Sequence, residues 1–194
     1  MHSPHDPVVY ADVASITTML KEQGLADFVA GRRVIVSGGA GFLGSWLVDA
    51  LYMLGAEHIT IVDNLATGRI DNIRHLLGTG RVKLMNLPVE KLEPLKGYDF
   101  VIHMAARPSP EDYVEHPVET LLASSRGTEV MLETARLSDA VFLLTSTSEV
   151  YGDAEVVPTP ETYWGKVNPI GPRSCYDEGK RYAEALTVAY ARQY

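Results

Sequence analysis

The 194-residue chain has a single cysteine, Cys175. That rules out an internal disulfide and matches a reducing, cytoplasmic setting. Its six histidines show no metal-ligand spacing and no cysteine cluster accompanies them, so no metal site is expected. Basic side chains are the scarcer sign, 17 Lys and Arg against 25 Asp and Glu, for a net charge of −8. No basic run occurs, which argues against a nucleic-acid partner or an anionic membrane surface. Any anionic ligand must then be held locally, by a helix terminus or a few placed cations. No long apolar run is present and the first residues are polar and proline-rich, so neither a membrane span nor a signal peptide is expected. No internal repeat or low-complexity segment stands out. The remaining composition, 46% hydrophobic and 22% charged, is that of a globular protein long enough to bury a good core.

The strongest positive signal is V-I-V-S-G-G-A-G-F-L-G, residues 34–44. Arg33–Ser37 is short, apolar and rich in β-branched residues, as a buried strand should be. Glycines follow at Gly38, Gly41 and Gly44, then W-L-V-D-A-L-Y-M-L at helical spacing, ended by Gly55. Strand, glycine turn and helix form the context of a dinucleotide fingerprint. Gly38 permits the tight turn, Gly41 lets the backbone approach a pyrophosphate, and Gly44 lets the helix lie close to the strand. The helix start at Phe42 and Leu43 offers N–H groups and a positive dipole end to phosphates. A second strand, 59–62, ends in Asp63, about 20 residues past the glycines, where a carboxylate can accept both ribose hydroxyls of NAD. Arg69 nearby leaves NADP as the less favoured cofactor.

Taken in order, residues 1–7 form a flexible arm and 12–28 a helix with Val13, Ile16, Met19 and Leu20 as its apolar stripe. That helix covers the sheet edge or packs on a partner subunit. A short helix is expected over 70–77, a third strand over 82–86 and a central strand over 99–104. The latter leads into A-A-R-P-S-P, where Ala105 and Ala106 are small enough to let a cofactor pass the strand's carboxyl end. His103 is expected to be a packed core histidine. Residues 117–137 read as one long helix and 140–144 as the fifth strand. Strands alternating with helices at this spacing predict an α/β fold, a Rossmann-like doubly wound parallel sheet with helices on both faces. The division expected is 1–30 as arm and helix and 31–194 as the NAD-binding domain.

The chemistry gathers in T-S-T-S-E-V-Y-G, residues 145–152, and Y-D-E-G-K, residues 176–180. The first lies at the carboxyl end of the fifth strand, the edge at which such sheets bind ligands. In the second, Tyr176 and Lys180 share a helical face at i and i+4. An ammonium near a phenol favours the phenolate and lowers its pKa from about 10. Such a tyrosine can take a proton from a sugar hydroxyl while hydride leaves the same carbon, with Thr147 orienting that hydroxyl. Cys175 has no histidine base near in sequence and is expected to be a packed thiol.

These residues resemble the extended short-chain dehydrogenase/reductases of the NAD-dependent epimerase/dehydratase group. S-T-S-E-V-Y-G-D and Y-W-G-K-V-N-P-I-G-P-R-S-C-Y-D-E-G-K-R are similar to the UDP-glucuronate decarboxylases (UDP-xylose synthases) among them. G-G-A-G-F-L-G, D-N-L-A-T-G-R and H-M-A-A-R-P-S-P add support, and the similarity runs from about Arg32 to the last residue. The resemblance implies a redox-neutral cycle on UDP-glucuronate: NAD⁺ oxidises C4, the resulting β-keto acid loses CO₂, C5 is reprotonated and the hydride returns to C4. It implies Tyr176 as base, Lys180 as its tuner and ribose anchor, Thr147 as the O4 contact, and Glu149 near C5 and the carboxylate. Asn64, Thr67, Gly68 and Met104 join the cofactor set, and Ser148, Tyr113 (in a loop) and Arg173 the substrate set. Ser148 stands where 4,6-dehydratases carry an acid, which decarboxylation does not need. The chain departs from the family's pattern at Pro88, Leu122 and Ser124, and the family's C-terminal sugar-nucleotide domain has no counterpart in these residues. A homodimer through the 117–137 and Tyr176–Lys180 helices is implied as well. The alternatives are another nucleotide-sugar epimerase or 4,6-dehydratase, and a non-catalytic NAD-binding module.

Overall fold

The computed structural model describes residues 7–194. Five parallel strands form one sheet in the order β3-β2-β1-β4-β5: β1 Arg33–Ser37, β2 His58–Val62, β3 Val82–Met85, β4 Phe100–His103 and β5 Val141–Leu144. The register aligns Ser37 with both Val62 and His103, so the carboxyl ends of the three central strands are level. The order reverses between β1 and β4, and that switch point is where a ligand crevice forms in such a sheet.

Alternation along the strands builds two cores. Val34 and Val36 of β1 join Ile59, Ile61 and Ile102 on one face, with Val48 and Leu51 of α2 (Phe42–Met53) and with Ile73 and Leu76. Ile35 joins Val62 and Val101 on the other, covered by Val130, Met131 and Ala135 of α5 (Arg126–Ser138). The expected doubly wound sheet is therefore present, its strand bounds shifted by at most a residue or so.

The helices differ more. α1 is Pro7–Glu22, so Pro7 opens it, and the rest of the expected 1–7 arm lies outside the described residues. The chain leaves the helix through Gly24 at φ +72°, and Ala26–Phe28 is a separate 3₁₀ turn. The stripe that packs is Val9, Val13 and Thr17, at i, i+4 and i+8. It meets Ala50, Trp46 and Met53 on the outer side of α2, so α1 backs a helix and does not cover the sheet edge. Of the expected stripe only Val13 is buried; Ile16 and Met19 are exposed and Leu20 is half-buried. Residues 70–77 form a 3₁₀ turn, Ile70–Asn72, followed by irregular backbone.

The expected single helix over 117–137 is two, α4 (Pro117–Ser124) and α5, broken at Ser125 with φ −94° and ψ −79°. Serine and threonine hydroxyls compete here for main-chain carbonyls. Thr120 Oγ1 donates to His116 O at 2.8 Å, Ser125 Oγ to Leu121 O at 2.6 Å and Thr128 Oγ1 to Ser124 O at 2.5 Å. Such back-bonding bends helices. A further short helix, α3 (Pro110–Glu115), was not expected; it carries Tyr113. α6 (Ser174–Gln193) closes the structure, packing on α4 and α5. α4 and α6 approach so closely that a Cβ on Gly179 would stand 2.9 Å from the Cβ of Ser124.

The glycine turn admits no side chain at its ends. A Cβ on Gly38, which has φ +73°, would lie 2.8 Å from the amide nitrogen of Ala105, and one on Gly44 would overlap the Gly38 carbonyl oxygen. Gly44→Ala should destabilise the fold by roughly 3 kcal/mol or more, because the obstacle is backbone held between strand and helix. Denaturant unfolding measures this; a change under about 0.5 kcal/mol would show that the turn can open.

Candidate active site

The crevice between β1 and β4 is built from backbone. Gly38 meets the chain at Met104 and Ala105 just past β4, and Ser37 ties the two ends together. The amides of Met104 and Ala105 both donate to Ser37 Oγ at 3.2 Å. The serine hydroxyl is thus left to donate to His103 Nδ1, 2.6 Å away, which makes the imidazole neutral with its proton on Nε2. The ring also meets the backbone of Ala123 at the end of α4. Burial, and secondarily the Lys180 ammonium, hold His103 down to about 3. The expected core histidine is therefore a brace between two strand ends and a helix.

Asp63 is buried just past β2 and its carboxylate faces the glycine turn. Oδ2 accepts from the Ala40 amide at 2.9 Å and Oδ1 from the Leu65 amide at 2.8 Å. Burial pushes its pKa up, against these two hydrogen bonds. Asn72 Nδ2 and the Arg69 amide bind the Ala40 carbonyl, so the loop holding Asn64, Thr67 and Gly68 is pinned on the turn. Asn64 Oδ1 accepts from Ala66 N, Thr67 is exposed and Gly68 is buried against Ala40. Asn72 and Ser37 escaped the sequence reading, since a lone Asn or Ser carries no signal of its own.

The residues present fit a dinucleotide. Gly41 caps α2 without a side chain, so no side chain competes for the first N–H groups of the helix, where Phe42, Leu43 and Gly44 stand. The cradle left by Gly38, Gly41 and Gly44 is one that a Cβ would fill. Met104, Ala105 and Ala106 continue its floor toward Tyr176, which packs with Ala106.

The second half of the site lies where β5 ends. Thr147 caps a 3₁₀ turn, Ser148–Tyr151, its hydroxyl accepting from the Glu149 amide at 3.2 Å. It also meets the Tyr176 phenol, the bond that favours phenolate. Tyr176 stacks on Tyr113, ring centroids 5.4 Å apart and planes within 9°. Lys180 is 3% exposed; its ammonium donates to Thr145 O at 2.9 Å and sits 6.0 Å from the Tyr176 ring centroid. Burial lowers Lys180 to about 8. The i, i+4 spacing thus does bring Tyr176 and Lys180 to one face. The expected lowering of the phenol is not seen, however. Burial pushes Tyr176 up, and Glu149 and Asp177 add to the rise, because the lysine is itself desolvated and turned to a carbonyl.

Glu149 and Arg173, expected on the substrate side, face each other at 2.7 Å. Tyr113 is fully buried on α3 within electrostatic reach of this pair, and its hydroxyl has no partner. Cys175 is buried and donates to Tyr113 O at 3.4 Å, as a packed thiol. Ser148 sits beside Glu149 in the turn. One residue was missed: Asp177, buried beside Glu149 and pushed up to about 6, first by burial and then by that glutamate. Its signal was the Arg173–Asp177 spacing of four inside the quoted motif. Of the departures, Pro88 precedes a 3₁₀ turn, Leu122 is exposed on α4, and Ser124 is the small residue that α6 packs against. Among the described residues no cluster suits a metal ion, and no helix is long and apolar enough to cross a membrane.

Residues 34–194 match the model of the NAD dependent epimerase/dehydratase family. Over 163 residues, 84% of the chain, the sequence is 50% identical to UDP-glucuronic acid decarboxylase 1 of Xenopus tropicalis, covering 38% of that protein. It is 50% identical over 161 residues to UDP-glucuronic acid decarboxylase 1 of Arabidopsis thaliana, covering 82% of the chain and 36% of that protein. The chain therefore spans well under half the length of these curated relatives. Among solved structures, UDP-N-acetylglucosamine 4-epimerase from Methanobrevibacter ruminantium superposes with a TM-score of 0.73 at 25% identity, over 85% of this chain and 52% of that one.

The His103 brace makes stability depend on acid. The unfolded imidazole takes up a proton near 6.5 and the folded one only near 3, so stability present above pH 6.5 falls as the pH drops toward 3. The loss should reach a few kcal/mol. His103→Gln should flatten that part of the curve in urea unfolding at pH 7, 5 and 4; parallel curves would disprove it.

Proposed function

The chain belongs to the NAD dependent epimerase/dehydratase family, and from that premise we propose that it is the cofactor-binding part of a UDP-glucuronate decarboxylase, which forms UDP-xylose through a 4-keto intermediate. The observation that carries the reading is the set Thr147, Glu149, Arg173, Tyr176 and Lys180 meeting at one strand end beside the glycine cradle. The 50% identity to relatives named as decarboxylases supports the choice of substrate.

Bound NAD would supply a reversible hydride acceptor for C4 of the sugar. The chain's own residues do the rest. Thr147 holds the C4 hydroxyl and the phenol of Tyr176 in one hydrogen-bonded line, along which the C4 proton passes to the phenol. The high pKa of the buried Tyr176 makes it reluctant to ionise alone. Lys180, at about 8, retains a proton at neutral pH and lies on the same helical face, 6.0 Å from the phenol's ring centroid. Arg173 and Glu149 stand ready for the C6 carboxylate and C5; the guanidinium can exchange its present partner for the substrate's carboxylate. Ser148 supplies no acid for loss of a C6 hydroxyl, which favours decarboxylation over 4,6-dehydration.

In a polypeptide carrying these residues and spanning the length of the curated relatives, mass spectrometry should show UDP-xylose from UDP-glucuronate. Tyr176→Phe should cut turnover by about 10²–10⁴-fold with NAD binding close to intact. An epimer or a 4-keto-6-deoxy product would reject the decarboxylase reading.

We also infer a cytoplasmic homodimer. Its support is the single buried thiol and the apolar side chains left exposed on α4 and α6, Val118, Leu121, Leu122, Tyr182 and Val188. Light scattering should give twice the chain mass; a monomer at high micromolar concentration would rule the dimer out.

A further inference from the structure

Decarboxylation consumes a proton that Tyr176 cannot supply. The C5–C6 bond breaks, its electron pair passes into the C4–C5 enolate, CO₂ leaves, and that pair then forms the C5–H bond. Tyr176 takes the C4 hydroxyl proton during oxidation and gives it back on reduction, so over the cycle it contributes none. One further proton must enter at C5 in each turnover, from a group held in the site.

Asp177 is built for that purpose. It is 9% exposed, and its Oδ1 is buried with no hydrogen-bond donor in reach. Its carboxyl and that of Glu149 act on each other as neighbouring like charges, which favours a proton on one of the two. The arrangement is held from both sides. The Asp177 amide donates to Arg173 O at 3.1 Å in the first turn of α6, while the Arg173 guanidinium grips Glu149 Oε2 at 2.7 Å. Thr147 Oγ1 accepts from the Glu149 amide and links this cluster to the Tyr176 phenol. The charged and titratable groups around Asp177 are Glu149 from the 3₁₀ turn, Tyr113 from α3, Arg173 just before α6, and Cys175, Tyr176 and Glu178 from α6 itself.

We propose that Asp177 is a positioning residue of the site: its protonated carboxyl donates to Glu149 and stores the proton that Glu149 delivers to C5. Burial and the neighbouring glutamate push Asp177 up to about 6, with Arg173 opposing, so the pair keeps a proton at a pH where a free aspartate has none. After delivery, Asp177 passes its proton to Glu149 and is recharged from solvent. The assignment rests on the decarboxylase reading for the identity of the proton acceptor, but the carboxyl pair itself does not.

Two measurements test it. Carboxyl carbon NMR of the labelled protein, with the Asp177 signal identified by its loss in Asp177→Asn, should give a midpoint near 6 that falls in Glu149→Gln. A midpoint near 3.9, the value of a free aspartate, overturns the pair. In the full-length protein with NAD and UDP-glucuronate, removal of Asp177's carboxyl takes away the like charge that keeps a proton in the pair. The fall of kcat with rising pH should then move about one unit lower in Asp177→Asn. kcat at pH 8 should drop roughly 10-fold or more, while KM and NAD affinity stay close to wild type. Asp177→Glu, which retains a carboxyl, should restore part of the loss. UDP-xylose formation with an unmoved pH profile, or KM and NAD affinity falling in step with kcat, overturns the proposal and leaves the decarboxylase reading standing. A product other than UDP-xylose overturns that reading and delivery to C5 with it, and the NMR midpoint still decides whether the carboxyl pair exists.

Discussion

Close contact of backbone with backbone at the β1–β4 switch point governs everything built above it. Gly44, in the first turn of α2, lies so near the Gly38 carbonyl, and Gly38 so near Ala105, that neither position has room for a Cβ. Phosphate binding by a helix N-terminus depends on the ligand reaching those N–H groups, and a turn this tight keeps them unobstructed. Polar side chains then hold the turn from outside. Asp63 and Asn72 grip the amide and the carbonyl of Ala40, and Ser37 gathers the amides past β4. Each is a buried polar group whose cost of burial is offset by hydrogen bonds to main-chain groups of the turn and the strand ends.

The catalytic half is attached to this frame through His103. Its ring takes the Ser37 hydroxyl, touches the end of α4 and lies within electrostatic reach of Lys180. The break at Ser125 matters for the same reason. α4 and α5 take different partners: α5 covers the sheet, and α4 packs on α6 through Ser124 and Gly179. α6 in turn carries Tyr176, Asp177 and Lys180 to the end of β5. Cofactor cradle and acid–base residues are thus joined through His103 and α4.

Electrostatics in the second half is dominated by burial. Tyr176, Lys180, His103 and Asp177 all shift toward their neutral forms, the direction desolvation imposes. Spacing along a helix reveals that Tyr176 and Lys180 are neighbours. It does not reveal that Lys180 spends its hydrogen bond on Thr145 O, or that the phenol is roofed by Tyr113.

Local patterns were enough for the parallel sheet, the glycine turn, Asp63 at the end of β2 and the Tyr176–Lys180 face, because each is encoded by periodicity or by residues a few positions apart. The match of the closing motifs to the decarboxylases rests on contiguous residues and was equally open to reading. Contacts across long sequence separations were not. The division of 117–137 into two helices came from hydroxyl–carbonyl bonds that propensity does not anticipate, and the packing stripe of α1 was chosen by the surface of α2 it had to fit. Glu149 and Asp177 are 28 positions apart and share a site only because the end of β5 lies beside the start of α6. Which titratable groups lose their water, and which of their neighbours then decides where a proton resides, is set by burial, and burial exists only once the chain has folded.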